Sequence, residues 1–241
     1  MSNHFASIEY NIYTTQDGSP TMNIRGGEKM HSLHGALSES LYIYEPTISA
    51  ALKHSQEPHI LSMGLGLAYN ELIALALLAT ADKKHFSLAS YEKEDFLNQS
   101  LVLWLQEKTH ALTATYDLIL SQISEHFKLS SQDLKSYAQE SWLNGLWILN
   151  GELPHHSSPQ KKFHALLYDA FSGKSDKDLW EEGRLNMFFH NYADPDSCFL
   201  STYAATGNLT RALKTQGFHV EKKKGFGVKR ESTWASRQKK T

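Results

Sequence analysis

Residues 59–92 confine the chain to a narrow set of folds. Pro58 precedes a short apolar run, His59 to Met63, that reads as a strand. Met63-Gly64-Leu65-Gly66 follows, and then a long apolar helix from Ala68 to Thr80. A second strand, Phe86 to Tyr91, ends at Glu92, and a helix covers Asp95 to Gln106. Strand, glycine turn, helix, strand and acid in that order make a βαβ unit, which builds a parallel sheet covered by helices. The pattern continues with strands over Trp147 to Leu149, Phe163 to Tyr168 (ending in Asp169) and Cys198 to Tyr203. Asp176 or Asp178 is placed to cap a helix that carries Leu179, Trp180, Leu185 and Phe188. A helix from Asn208 to Gln216 stops at Gly217, a C-cap. Phe218 to Lys222 and Val228 to Trp234 form a last pair of strands around Gly225-Phe226-Gly227.

Two segments lie outside this alternation. Phe5 to Tyr13 alternates apolar and polar residues, Asp17-Gly18 marks a tight turn, and Thr21 to Ile24 returns. This is an N-terminal hairpin, joined through Gly26-Gly27 to a helix from Gly35 to Lys53. Residues 108–142 contain no Gly or Pro and space Leu112, Tyr116, Ile119, Ile123 and Phe127 as a helix does, which predicts a helical insertion. The 241 residues suit one α/β domain, with residues 1–34 as an extension. Cys198 is the only cysteine, so no intramolecular disulfide forms and a reducing cytoplasm is the expected compartment. No run of about 20 apolar residues predicts a membrane span, and Met1 to Tyr10 has no signal-peptide pattern.

A net charge of -2 argues against non-specific coating of nucleic acid. Lys222, Lys223, Lys224, Lys229, Arg230, Arg237, Lys239 and Lys240 nevertheless crowd the last 20 residues. They read either as a phosphate-facing segment or as a solvated edge.

The glycines at 64 and 66 allow a sharp turn and close approach of backbone to a ligand, although many such turns need glycine for geometry alone. Glu92, at the end of the next strand, is placed to accept from the ribose hydroxyls of a nucleoside cofactor. That pair fits a nicotinamide cofactor as well as S-adenosylmethionine. Asp169, within Tyr168-Asp169-Ala170-Phe171-Ser172, ends a central strand where open α/β sheets bind ligands, or else caps a helix. Glu152 follows the preceding strand, on the adenine side of such a cofactor or at the start of a loop. The pairs His155-His156 and His31/His34 lack supporting Cys or acid spacing, so no metal is expected. Trp142 and Trp147 read as core.

Several ordered blocks resemble the methyltransferase domain of the MnmC-type tRNA 5-aminomethyl(-2-thio)uridine methyltransferases, in the stand-alone form without the FAD-dependent oxidase. They are Asp17-Gly18-Ser19-Pro20-Thr21, Gly27-Glu28-Lys29-Met30-His31-Ser32 and Gly35-Ala36-Leu37-Ser38-Glu39-Ser40. They continue with Met63 to Gly66, Tyr91-Glu92-Lys93, Tyr168 to Ser172 and Leu179-Trp180. The resemblance is strongest in Leu200-Ser201-Thr202-Tyr203-Ala204-Ala205 and in Gly225 to Glu231. It implies a Rossmann-like α/β methyltransferase with a mostly parallel seven-stranded sheet. It also implies S-adenosylmethionine as cofactor, tRNA as partner, and N-methylation of the 5-aminomethyl group of a wobble (2-thio)uridine. Gly64, Gly66, Asn70, Glu92 and Glu152 would then hold the cofactor, and Asp169 would be catalytic. Phe171, Lys174, Tyr203, Lys229 and Arg230 would meet the tRNA substrate.

The chain departs from that family in three places. Ala68 replaces the third glycine of the loop, the aspartate usual near Glu152 is missing, and Gly173 to Lys177 replaces a loop containing proline and asparagine. Two other readings therefore stand beside the first. One is a chain that kept the fold and lost the chemistry, binding tRNA or protein. The other is a methyltransferase for another small amine.

Overall fold

The computed structural model describes residues 8–153, 159, 161–170, 177–228 and 230–239. The hairpin β1 (Tyr10–Thr14) and β2 (Pro20–Ile24) forms its own two-stranded sheet. After α1 (Ala36–His54) come β3 (His59–Met63), α2 (Tyr69–Thr80), β4 (Ser87–Tyr91) and α3 (Asp95–Leu105). They are followed by α4 (Thr113–Phe127), α5 (Ser131–Leu143), β5 (Trp147–Asn150) and β6 (Ala165–Tyr168). The remainder comprises a 3-10 turn (Lys177–Trp180), α6 (Glu182–Tyr192), β7 (Ser197–Thr202), α7 (Gly207–Thr215), β8 (His219–Lys224) and β9 (Glu231–Gln238).

The main sheet has seven strands in the order β5-β4-β3-β6-β7-β9-β8. The first five are parallel and β9 runs antiparallel to both its neighbours. The chain steps outward from β3 to β5 and restarts on the other side of β3 with β6. The topological switch point therefore lies between β3 and β6, where open α/β sheets form their ligand crevice.

Alternation along the strands assigns each helix its face. Ile60, Ala165, Leu167 and Phe199 join one core with α1 to α5, whereas Leu61, Leu166, Cys198 and Leu200 join a second with α6 and α7. Successive side chains on a strand point to opposite faces, so a central strand must be apolar throughout. Residues 108–142 are part of this architecture rather than an appendage. Leu112, Tyr116, Ile119, Leu120, Ile123, Leu134 and Ala138 are all buried in the first core. Trp147 is buried there too, its indole N–H donating to Ser90 Oγ at 3.0 Å, while Trp142 is half-buried against the same core.

Four expectations need correction. The final strands run over His219–Lys224 and Glu231–Gln238 because a wider loop separates them, closed by Gly225 N–H donating to the Arg230 carbonyl at 3.1 Å. The helix expected after Asp176 or Asp178 splits into the 3-10 turn and α6. Its break falls at Glu181, whose ψ of 137° is extended, and no side chain caps α6. Asp176 lies outside the described residues. Phe163 stands ahead of β6, bridging instead to Ala193 after α6. The first strand begins at Tyr10, with residues 1–7 outside the described range. Most of the described basic tail is engaged internally. Arg237 donates to the carbonyls of Ala193, Asp194 and Gln216, Lys239 pairs with Asp196, and Lys222 pairs with Glu231.

The hairpin turn has a structural duty that its sequence block did not reveal. No side chain within α1 caps its N-terminus. Instead Ser19 Oγ accepts the N–H groups of Ala36 and Leu37, both at 3.0 Å, and Asp17 accepts that of Ser38 at 2.9 Å. Burial works against the charge on Asp17. The hydroxyls of Ser19, Thr15 and Ser38 and the Ser38 N–H outweigh it and hold the carboxyl at about 2. A carboxylate lowered from 3.8 stabilises the fold above that value and loses its contribution as pH falls toward 2. The side chain is exposed, so screening reduces the effect to on the order of 1 kcal/mol. Asp17→Asn is expected to flatten the pH 4-to-2 part of an acid unfolding titration followed by circular dichroism. Superimposable curves for mutant and wild type would show that the carboxylate does not bind the hairpin to α1.

Candidate active site

The carboxyl ends of the parallel strands open into a cleft of about 420 Å³, within the range of about 300–1,000 Å³ typical of small-molecule sites. Gly64 to Gly66 line it from the end of β3, and Tyr91, Glu92 and Lys93 from the end of β4. Glu152 and Leu153 come from beyond β5, Asp169 and Ala170 from the end of β6, and Tyr203 from beyond β7. Tyr69 and Asn70 of α2 add to the wall, Val228 comes from the last hairpin loop, and the segment Glu28 to Ser32 crosses from the N-terminal hairpin.

The glycine turn is held from both sides. Gly64 and Leu65 both donate to the Tyr91 carbonyl, at 2.9 and 3.3 Å, and Asp169 N–H donates to Met63 O at 2.9 Å. Gly64 has φ +91°, and a Cβ there would stand 2.5 Å from the Asp169 carbonyl oxygen. Glycine is therefore required by both conformation and space. Ala68 has φ +62°, the left-handed region, and caps α2. Its methyl is fully buried in the first core. The missing third glycine thus costs backbone strain, of about 1–2 kcal/mol, rather than a methyl group aimed at a ligand.

Glu92 is 6% exposed. One carboxylate oxygen accepts Gly66 N–H at 3.0 Å and the other accepts Glu94 N–H at 2.9 Å. Burial raises its pKa, and those two N–H groups oppose the rise. Each carboxylate oxygen retains a second lone pair. Glu152 is exposed on the cleft's rim.

Asp169 sits at the switch point. Its Oδ2 accepts the Asn70 side-chain N–H at 2.8 Å, and the fully buried Tyr44 lies against it. Burial is the largest influence and raises its pKa. The charge of His31, the neighbouring Tyr44 hydroxyl and the hydrogen bond from Asn70 oppose that rise. Asn70 was expected to touch the cofactor and is here engaged with Asp169. Its Oδ1 is buried with no hydrogen-bond partner among the described residues. Tyr203 lines the cleft, and its hydroxyl donates to the Ala170 carbonyl at 2.7 Å. Arg230 is exposed, two positions beyond Val228. Phe171, Lys174, Lys229 and the His155-His156 pair lie outside the described residues. No group of three or more His, Cys, Asp or Glu residues suited to a metal occurs among the described residues.

Reading strand ends alone missed the wall built by other elements. His31 and Tyr69 line it from the hairpin segment and α2, while Glu39 and Tyr44 of α1 are buried without lining it. The signals were, for His31, Glu39 and Tyr44, a position in or beside the blocks Gly27 to Ser32 and Gly35 to Ser40, and for Tyr69 its place directly after Ala68 of the glycine loop.

A family model described as S-adenosyl-L-methionine-dependent methyltransferase matches residues 110–238, more than half of the chain. An uncharacterized protein of Methanocaldococcus jannaschii is 24% identical over 230 residues, covering 94% of this chain and 59% of that protein. The tRNA 5-methylaminomethyl-2-thiouridine biosynthesis bifunctional protein MnmC of Pseudoalteromonas atlantica is 25% identical over 246 residues, covering 94% of this chain and 32% of that protein. The chain thus spans less than two thirds of the length of either relative. Among solved structures, MnmC2 from Aquifex aeolicus superposes with a TM-score of 0.67 at 25% identity, covering 95% of this chain and 71% of that one. Spermidine synthase from Thermotoga maritima shares the fold, with a TM-score of 0.54 at 11% identity. The chain belongs to the S-adenosyl-L-methionine-dependent methyltransferase family, and nearly its whole length is similar to part of an MnmC protein.

Proposed function

We propose that this methyltransferase N-methylates the 5-aminomethyl group of a (2-thio)uridine at the wobble position of tRNA. The observation that carries the reading is the pair Asp169 and Asn70 at the switch point. The Asp169 carboxylate lines the cleft beside the glycine turn, and the Asn70 side-chain N–H holds it there. A hydrogen-bond donor such as an amine completes such a site, because hydrogen bonds to an ionised acceptor are the strong ones. The similarity to MnmC, a tRNA 5-methylaminomethyl-2-thiouridine biosynthesis protein, supports this choice of amine.

The cleft's residues fit S-adenosylmethionine. Gly64 and Gly66 line the cleft with bare backbone, and the tight packing of Gly64 on the Asp169 backbone fixes the shape of that turn. Glu92 presents buried carboxylate lone pairs where ribose hydroxyls are received in such folds. When bound, the cofactor supplies a methyl carbon made electrophilic by a positively charged sulfur. Glu152, on the rim just beyond the end of β5, is assigned to the adenine side by resemblance.

Asp169 orients the substrate nitrogen and receives the proton that an ammonium must shed before its lone pair can react. Asn70 fixes the carboxylate, and proximity of nitrogen and methyl supplies much of the acceleration. Tyr203 lines the same cleft, and its hydroxyl is tied to the Ala170 carbonyl. Arg230, in the loop beyond Val228, is assigned to tRNA phosphates; Lys229 is assigned to the same phosphates, and Phe171 and Lys174 to the nucleotide, by resemblance.

The test is mass spectrometry of nucleosides from tRNA bearing 5-aminomethyl-2-thiouridine after incubation with enzyme and cofactor. Conversion to the methylaminomethyl nucleoside is expected. Cofactor binding without conversion would redirect the reading to another small amine, and no cofactor binding would favour a binding module.

A further inference from the structure

The loop between β8 and β9 carries an aromatic and basic rim at the mouth of the cleft. Val228 in this loop is 82% exposed, yet it also lines the cleft. Two residues before it, the half-buried Phe226 packs against Tyr42 of α1, with ring centroids 6.1 Å apart. Tyr42 is itself 39% exposed and meets Trp234 of β9 at 6.4 Å.

Three contacts hold this rim in place. The Tyr42 hydroxyl donates to the Lys224 carbonyl at 2.7 Å, which ties α1 to the end of β8. Gly225 N–H donates to the Arg230 carbonyl at 3.1 Å and closes the loop. Gly227 has φ +58°, and a Cβ there would stand 2.6 Å from His34 Cδ2. The loop therefore rests directly on the segment that joins the hairpin to α1.

Cations surround the rings. The Lys223 ammonium lies over the Trp234 ring, 3.3 Å from its centroid. Glu231 and Glu221 offset Lys222 and Lys223. Lys224 and Arg230 are exposed and have no carboxylate partner among the described residues.

We propose that this rim is a stacking platform for the unpaired RNA bases beside the target uridine. The proposal rests on the tRNA-methylating reading above and assigns a surface to the flanking nucleotides. A uridine whose 5-substituent reaches Asp169 inside the cleft must leave the stack of its neighbours. Those neighbours then present uncovered faces at the mouth. Phe226 and Tyr42 offer aromatic surface there, and every base has a π-face that such surface can cover. Lys224 and Arg230 stand on the same loop and strand end for the phosphates that link those bases. Aromatic surface flanked by cations is how proteins hold single-stranded RNA. The pinned loop offers this surface without first having to be ordered, which lowers the cost of binding.

The test is fluorescence anisotropy with a labelled RNA stem-loop that carries 5-aminomethyluridine at the wobble position of its loop. The wild type is expected to bind it, and Phe226→Ala to bind about tenfold more weakly. Phe226→Leu keeps apolar bulk without a ring and should behave like Phe226→Ala, whereas Phe226→Trp should bind as the wild type does. Lys224→Gln should reduce the slope of log affinity against log salt by about one. Wild-type affinity in Phe226→Ala, or equal affinities for the Leu and Trp variants, would overturn the proposal. If Phe226→Ala does not fold, the comparison of Leu with Trp decides. A wild type that neither binds nor methylates the stem-loop would sink the tRNA reading and this proposal with it. Methylation with an affinity indifferent to Phe226 would sink only the proposal.

Discussion

Asp169→Asn is expected to fold, to bind S-adenosylmethionine with near wild-type affinity, and to transfer methyl at least roughly 10²-fold more slowly. The fold should survive because Asp169 donates its backbone N–H to Met63, a bond that the substitution keeps. The Asn side chain retains an oxygen that can accept from Asn70, so local packing is preserved. It has no negative charge and no second acceptor oxygen. An ammonium placed there loses the group that accepts its proton, and the deprotonated amine loses its anchor. Nucleoside mass spectrometry at saturating cofactor reads the rate directly. A variant with wild-type turnover would make Asp169 a structural residue and move the catalytic group elsewhere.

Gly64→Ala is expected to do broader damage, weakening cofactor binding by at least about tenfold and slowing the reaction as well. Two costs add at this position. A φ of +91° is strained for any residue with a side chain, at about 1–3 kcal/mol. The new methyl would also stand 2.5 Å from the Asp169 carbonyl oxygen, so one of the two backbones must move. Displacement there shifts Asp169 away from the switch point. Equilibrium binding and kcat should therefore fall together, with a lower melting temperature. Ala at 64 with unchanged affinity would mean that the turn does not shape the cofactor site.

The parallel sheet was legible because its evidence is local. His59–Met63 is an apolar run closed by glycine, and its observed limits are those expected from the sequence. Glu92 and Asp169 were legible as strand-end acids because a parallel strand must deliver its last residue to the ligand side. The hairpin's duty was not legible. Ser19 caps a helix that begins at Ala36, and no periodicity encodes that meeting. Glu71 was equally hidden. It occupies an ordinary position in an apolar helix, yet it is fully buried beside Ser62 and Ser90, and burial pushes its carboxyl up to about 8. His31 was weighed as half of a metal pair, and only the packing of the hairpin segment onto Tyr69 shows it on the wall of the cleft that Asp169 also lines. The split between the 3-10 turn and α6 turns on the extended ψ at Glu181, which helical spacing of Leu179, Leu185 and Phe188 cannot report.

The account's central claim is that the cleft holds S-adenosylmethionine with Glu92 as its buried acceptor. Calorimetric titration of the cofactor into wild type and Glu92→Ala tests it most directly. Wild type should bind at a single site. Glu92→Ala should bind more weakly by about 1–3 kcal/mol, the loss expected when charged hydrogen bonds to two hydroxyls disappear. Equal affinities for the two proteins, or no heat of binding in the wild type, would contradict the account.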